Sequence, residues 1–188
     1  MPDLIRGVAA RHPEAERVEL WFMDEARVGQ KGRTGFRRWV RGERPRGLRD
    51  RRFGWAYPSG AVRPATGGDF ALVLPEVSTA AMRTLLEHFA GDLAEDAHAV
   101  LVPDRAGRHG SRGPAVPPSI TLAPLPSCAP GLNPVERIWL FLRERFLSRR
   151  LPQNYEGIAS ACCEAWNALT PRRLRSLCAL PWLAKASS

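Results

Sequence analysis

Residues 18–24 read Val-Glu-Leu-Trp-Phe-Met-Asp, and no other stretch narrows the possible folds as far. Side chains alternate along a strand, so Val18, Leu20, Phe22 and Asp24 share one face while Trp21 and Met23 take the other. A strand that is apolar on both faces has to be covered on both, which makes it a central strand of a sheet sandwiched by helices. Residues 99–104, Ala-Val-Leu-Val-Pro-Asp, repeat the pattern of a buried run closing on an acid. Pro103 cannot donate to a ladder and fits only at a strand's last position. Open α/β sheets bind ligands beyond the carboxyl ends of their strands. Asp24 and Asp104 are therefore site candidates, and Glu25 points the opposite way. The competing reading makes each a solvated strand-end acid without a role.

A third acid arrives on a helix. The Pro/Gly-broken run Ser127-Cys128-Ala129-Pro130-Gly131-Leu132 feeds into Asn133-Pro134-Val135-Glu136. Asn133 is a favoured N-cap, Pro134 suits the first helical position, and Glu136 follows the cap by three. Val135, Ile138, Trp139, Leu142 and Phe146 then recur at helical spacing as one apolar stripe. Glu136 is either the capping-box partner of the Asn133 amide or a carboxylate held over a cleft. Its company decides which.

The rest of the chain supplies the frame. Residues 35–41 and 51–61 are aromatic-rich and bounded by Gly and Pro, and read as antiparallel strands with Trp39, Phe53, Trp55 and Tyr57 as sheet residues. Residues 70–74 form a further strand. Ser78 caps a helix to about residue 93 whose stripe is Met82, Leu85, Leu86 and Phe89. A short strand at 119–123 precedes the Glu136 helix, and helices at 154–167 and 171–180 close the chain. The predicted fold class is α/β: a mixed sheet of three antiparallel strands and two more parallel to the first, flanked by helices. The expected organisation is a lead-in at 1–17, a core at 18–150, and C-terminal helices at 151–188 packed on that core.

If the strands ending in Asp24 and Asp104 are parallel neighbours, their acids converge and the helix adds Glu136. Two carboxylates ~4 Å apart repel by about 4 kcal/mol at an effective dielectric of ~20, so protonation or a divalent cation has to relieve them. Hard oxygen donors select magnesium or manganese and leave positions open for water and phosphate. Two such ions roughly 3.5–4 Å apart would suit in-line displacement at phosphorus.

Charge points to the same substrate class. Lys plus Arg outnumber Asp plus Glu by 28 to 19, for a net charge of +9, and all but Lys31 and Lys185 of those cations are arginine. A GC-rich genome explains the arginine preference but not the clustering. Between Arg27 and Arg52 stand eleven basic residues against Glu43 and Asp50 alone, the footprint of a polyanion-binding surface. Cys128, Cys162, Cys163 and Cys178 have neither CxxC spacing nor a neighbouring histidine set, so free thiols are expected and a zinc site is not. No apolar run approaches the ~18 residues of a membrane span, and a cytoplasmic, nucleoid-associated protein is the expectation.

Met23-Asp24-Glu25-Ala26-Arg27-Val28-Gly29, Asp104-Arg105-Ala106-Gly107-Arg108-His109 and Pro130-Gly131-Leu132-Asn133-Pro134-Val135-Glu136-Arg137-Ile138-Trp139 resemble the three motifs of mariner-like DDE transposases, most nearly the bacterial insertion-sequence IS six-thirty family. The similarity runs from about residue 18 to 150. It implies a ribonuclease-H-like core in which Asp24, Asp104 and Glu136 bind two magnesium (or manganese) ions. The reaction it implies is DNA strand cleavage by water, then attack of a 3′ hydroxyl on target DNA. The expected DNA contacts are Arg27, Lys31, Arg33, Arg37, Arg38, His109, Asn133 and Arg137. Element ends and target DNA are the expected partners, with a homodimer because transposition couples two ends. A separately encoded or frameshift-joined helix-turn-helix segment is a further expected partner, since members usually carry such domains ahead of the core. Pro103, Arg105 and Arg108 depart from the family's pattern around the second acid. A catalytically idle, DNA-binding or dimerising remnant is the rival reading, and a structure-specific ribonuclease-H-like nuclease a third.

Overall fold

The computed structural model describes residues 2–30, 41–42, 54–104, 115–125, 130–148 and 150–186. In chain order they form α1 (Pro2–Arg11), β1 (Arg17–Glu25), β2 (Val28–Gly29), β3 (Trp55–Arg63), β4 (Gly68–Leu74), α2 (Thr79–Asp92), β5 (Ala97–Pro103) and β6 (Ile120–Leu122). There follow α3 (Val135–Leu142), α4 (Tyr155–Asn167), α5 (Pro171–Leu177) and α6 (Pro181–Ala186). Among these residues no helix is long and apolar enough to cross a membrane.

β1 is the central strand that its two apolar faces require. β3 runs antiparallel along one edge, and β5 runs parallel along the other, in register from Arg17 opposite Ala97 to Met23 opposite Pro103. β4 extends the sheet antiparallel beyond β3, and β6 extends it parallel beyond β5. This is the ribonuclease-H-like arrangement of three antiparallel strands followed by two parallel to the first. Every residue of β5 is buried, as a strand covered on both faces should be. Pro103 ends it, and its carbonyl accepts from the Leu125 amide at 3.2 Å. The missing N–H therefore breaks nothing.

The short β2 is the far end of β1. Asp24 lies opposite Gly60 and Val28 opposite Ala56, one continuous antiparallel register along β3. The interruption falls at Pro58, which has no proton to return to the strand, although its carbonyl still accepts from the Ala26 amide at 2.9 Å. β1 is therefore interrupted just past its acid, between Glu25 and Val28.

Two helical layers cover the sheet. Trp21 and Met23 pack with Leu85, Leu86 and Phe89 of α2 on one face. Phe22, Val62 and Val102 pack on the other with Val135, Ile138, Trp139 and Leu142 of α3 and with residues of α4 to α6. The anticipated stripe of α3 is thus its buried face. Phe146, partly buried, continues it on a widened turn at Arg143–Leu147. Ser78 caps α2 by accepting from the Ala81 amide, and Asn154 caps α4. Helix α6 was not foreseen, and α1 gives the lead-in a defined form. Residues 35–40 of the strand expected at 35–41, Trp39 among them, lie outside the described residues, as does Phe53; Arg41 is described and lies in a turn.

Candidate metal centre

Three elements deliver three carboxylates to one place. Asp24 is the penultimate residue of β1, and Asp104 follows β5 directly. Because Met23 and Pro103 are parallel neighbours, the next residue on each strand emerges at the same edge of the sheet. Glu136, in the first turn of α3, closes the set from above. One carboxylate oxygen from each lies within 4.8 Å of the others. Exposure rises from Asp24 through Asp104 to Glu136. Among the described residues no other group of three or more His, Cys, Asp or Glu converges in this way.

The arrangement is electrostatically uncomfortable without a cation. The Asp24 carboxyl is pushed up to about 7, first by burial and then by the charge of Glu136, with Asp104 and Glu25 adding to it. The Glu25 backbone amide opposes this only in part. Burial and like charge both disfavour the ionised form. The strand beside Asp24 is closely packed. Gly60, its cross-strand partner, is covered by Trp166 of α4 so closely that a Cβ there would fall 2.3 Å from the indole. Trp166 in turn donates to Asp69 at 2.7 Å and lies 5.2 Å from the ring of Trp139. Three hard oxygen donors, one of them a carboxyl that holds its proton near neutrality, are the donor chemistry that magnesium or manganese takes.

Asn133 ties this geometry together. Its Oδ1 accepts from the Val135 amide at 3.1 Å, and its Nδ2 donates to the Met23 carbonyl at 3.0 Å. The side chain that starts the helix thus also grips the strand, one residue before Asp24. Asn133 is only 2% exposed, so its amide faces the protein interior and not the DNA expected of it. Glu136 stands with the two aspartates, and the cap interaction at this helix start is made by Asn133.

The basic residues divide. Arg27 is exposed just beyond Asp24, and its guanidinium stacks over Trp55 at 3.7 Å from the ring centroid. Trp55, read from sequence only as a sheet residue, is thereby an arginine platform. Its ring packs so near Gly29 that a Cβ there would fall 2.2 Å from it. Arg137 is exposed but directs its guanidinium toward the carbonyls of Leu177 and Ala179 at 3.5 and 3.3 Å, away from a free phosphate-binding pose. Lys31, Arg33, Arg37, Arg38 and His109 lie outside the described residues.

Two buried polar residues carried no sequence signal. Gln30, 4% exposed, accepts from the Gly54 amide and donates to the carbonyls of Pro152 and Gln153. It pins the end of β2 to the connection before α4. Glu19, 6% exposed, lies within β1 and is held by Trp21 Nε1 and Arg63. Of the thiols, Cys162 and Cys178 are buried and free, Cys163 is exposed and free, and Cys128 is outside the described residues.

Comparison with known proteins agrees with this geometry. The fold is shared with the mariner transposase Mos1: the paired end complex with Mn superposes with a TM-score of 0.65 at 16% identity, covering 94% of this chain and 56% of that one. The Mos1 strand transfer complex gives 0.64 at 13% identity, with the same coverage. This chain therefore spans little more than half the length of Mos1. An uncharacterized protein of Sinorhizobium fredii, y4pE/y4sA, is 42% identical over 130 residues, which is 68% of this chain and 96% of that relative. Residues 19–158 match the family described as DDE superfamily endonuclease, a span that contains all three converging acids, and the chain belongs to that family.

Proposed function

We propose that this chain is the catalytic domain of an insertion-sequence transposase, cleaving DNA strands and joining them to a target by metal-dependent phosphoryl transfer. The observation that carries the reading is the meeting of Asp24, Asp104 and Glu136 within 4.8 Å at the carboxyl edge of a ribonuclease-H-like sheet.

Asp24, Asp104 and Glu136 would together hold two magnesium or manganese ions. Bound there, such ions supply charge neutralisation, a water acidic enough to attack phosphorus, and stabilisation of the leaving oxygen. The chain's own residues do the rest. Asp24, set deepest, would give up its proton to hold a cation. Asp104 and Glu136, more exposed, leave the open side from which a phosphodiester can approach. Trp166 over Gly60 keeps water from the Asp24 side, which strengthens each electrostatic contact within. Arg27, braced on Trp55, offers a planar donor fork to a phosphate near the site. The basic stretch from Arg27 to Arg52 provides the salt-dependent hold on the DNA backbone.

Purified protein incubated with Mg2+ or Mn2+ and supercoiled DNA carrying insertion-sequence ends should nick that DNA, and with 3′-hydroxyl ends should join strands. Asp24→Asn and Glu136→Gln should each abolish both activities. Salt-sensitive retention of DNA with no nicking under any divalent ion would instead establish the idle DNA-binding remnant. Preferential cleavage of RNA–DNA hybrids would establish a ribonuclease-H-like nuclease.

A further inference from the structure

The geometry points to Asn133 as a positioning residue that sets the spacing between Asp24 and Glu136, by joining the strand that carries one to the helix that carries the other. This rests on the metal-site reading and adds a residue that touches neither metal nor substrate.

The two carboxylates are more than a hundred residues apart in the chain and sit on different kinds of element. Asp24 is the penultimate residue of β1, two positions before Ala26, where Pro58 opposite has no N–H to give. Glu136 lies in the first turn of a helix, where backbone amides have no intrahelical partner. Both carboxylates therefore sit near the ends of their elements. Asn133 spans them with one planar amide. Its Oδ1 takes the Val135 amide, one residue from Glu136, and its Nδ2 reaches the Met23 carbonyl, one residue from Asp24, across a sequence separation of 110. A primary amide can do this because it offers an acceptor and a donor on one rigid plane. Serine or threonine would cap the helix as well but is too short to reach the strand too. With Asn133 2% exposed, water cannot readily replace either bond. Groups hydrogen-bonded to metal ligands change affinity by about 10- to 100-fold when removed, and Asn133 acts through the backbone one residue from each of two ligands.

The test uses Mn2+ alone, followed by electron paramagnetic resonance, on the whole chain. Asn133→Ser keeps an acceptor for the helix and loses the strand contact, whereas Asn133→Ala loses both. Ser78→Ala, which removes the cap of α2 on the opposite face of the sheet, serves as the matched structural control. Both Asn133 variants should weaken Mn2+ binding by about 10-fold or more and broaden its spectrum, while Ser78→Ala lowers thermal stability and leaves the Mn2+ affinity within about twofold. Asn133→Ser binding like the wild type would overturn the proposal, as would an equal loss in Ser78→Ala. Amide hydrogen exchange gives a second readout, independent of metal: Asn133→Ser should speed exchange at residues 24–26 and 135–137 together. Should the wild type take up no Mn2+, the metal reading falls while exchange still decides the tie. Unchanged exchange at residues 24–26 would then refute it.

Discussion

Replacing Asp24 by asparagine should stabilise the metal-free protein at alkaline pH while removing its response to divalent cations. The magnitude follows from the position of its proton. The carboxyl is raised from 3.8 to about 7 in the folded chain. The folded state therefore keeps a proton that the unfolded state gives up, and this contribution is complete below about pH 4. It is lost progressively as pH rises toward 7, because there the unfolded state binds fewer protons than the folded one. A shift of that size corresponds to about 4 kcal/mol at pH 8, at ~1.36 kcal/mol per unit. Asparagine fills nearly the same volume, cannot ionise, and can donate to the neighbouring carboxylates. For a domain of this length each kcal/mol moves Tm by roughly 2–4 °C, so Asp24→Asn in EDTA at pH 8 should melt roughly 8–16 °C higher than the wild type. At pH 4 the two should melt together. Millimolar Mg2+ or Mn2+ at pH 8 should then raise the wild-type Tm and leave the variant unmoved. Circular dichroism melts across pH, with and without metal, decide it. A variant that melts lower than the wild type at pH 8 without metal would show that the three acids do not crowd one another, and the reasoning would fail.

Other perturbations probe the frame around the site. Gly60→Ala places a Cβ 2.3 Å from Trp166, and overpacking of that kind should cost about 1–3 kcal/mol in chemical denaturation. Trp166→Phe removes the donor to half-buried Asp69 and should destabilise by about 1.5–3 kcal/mol, the range for hydrogen bonds to charged groups. Its effect should be smaller in an Asp69→Asn background. Among the described thiols, Cys163 should react with a disulfide reagent in the native protein. Cys162 and Cys178, buried and both pushed up to about 12, should react only on unfolding, because the thiolate is the reactive form.

The parts of the structure visible in the sequence were those set by a short-range rule. Residues 18–24 could be placed at the centre of a sheet because apolar side chains on both faces admit no other position. Once that strand and residues 99–104 are parallel neighbours, their terminal acids have to meet. The stripe from Val135 to Leu142 fixed which side of α3 is buried, and so which way Glu136 could face. What remained hidden depends on partners distant in the chain. Asn133 looked like a cap with a free amide because nothing in its own segment announces the Met23 carbonyl. Nothing around Glu19 announces its guanidinium partner, because that partner is Arg63, 44 residues on. The break in β1 is caused by Pro58, which matters only through register on a neighbouring strand. Gln30 carries three hydrogen bonds and no motif. Trp55 had the composition of a sheet residue, and its role as a platform for Arg27 became visible only with Gly29 against its ring.

The central claim is that two aspartates and a glutamate share a cation. Crystals grown with Mn2+ and measured at the manganese absorption edge test it most directly. Anomalous density should be enclosed by the carboxylates of Asp24, Asp104 and Glu136 and be absent from Asp24→Asn. Carboxylates turned away from one another with no manganese between them, in a protein otherwise folded as described, would contradict it.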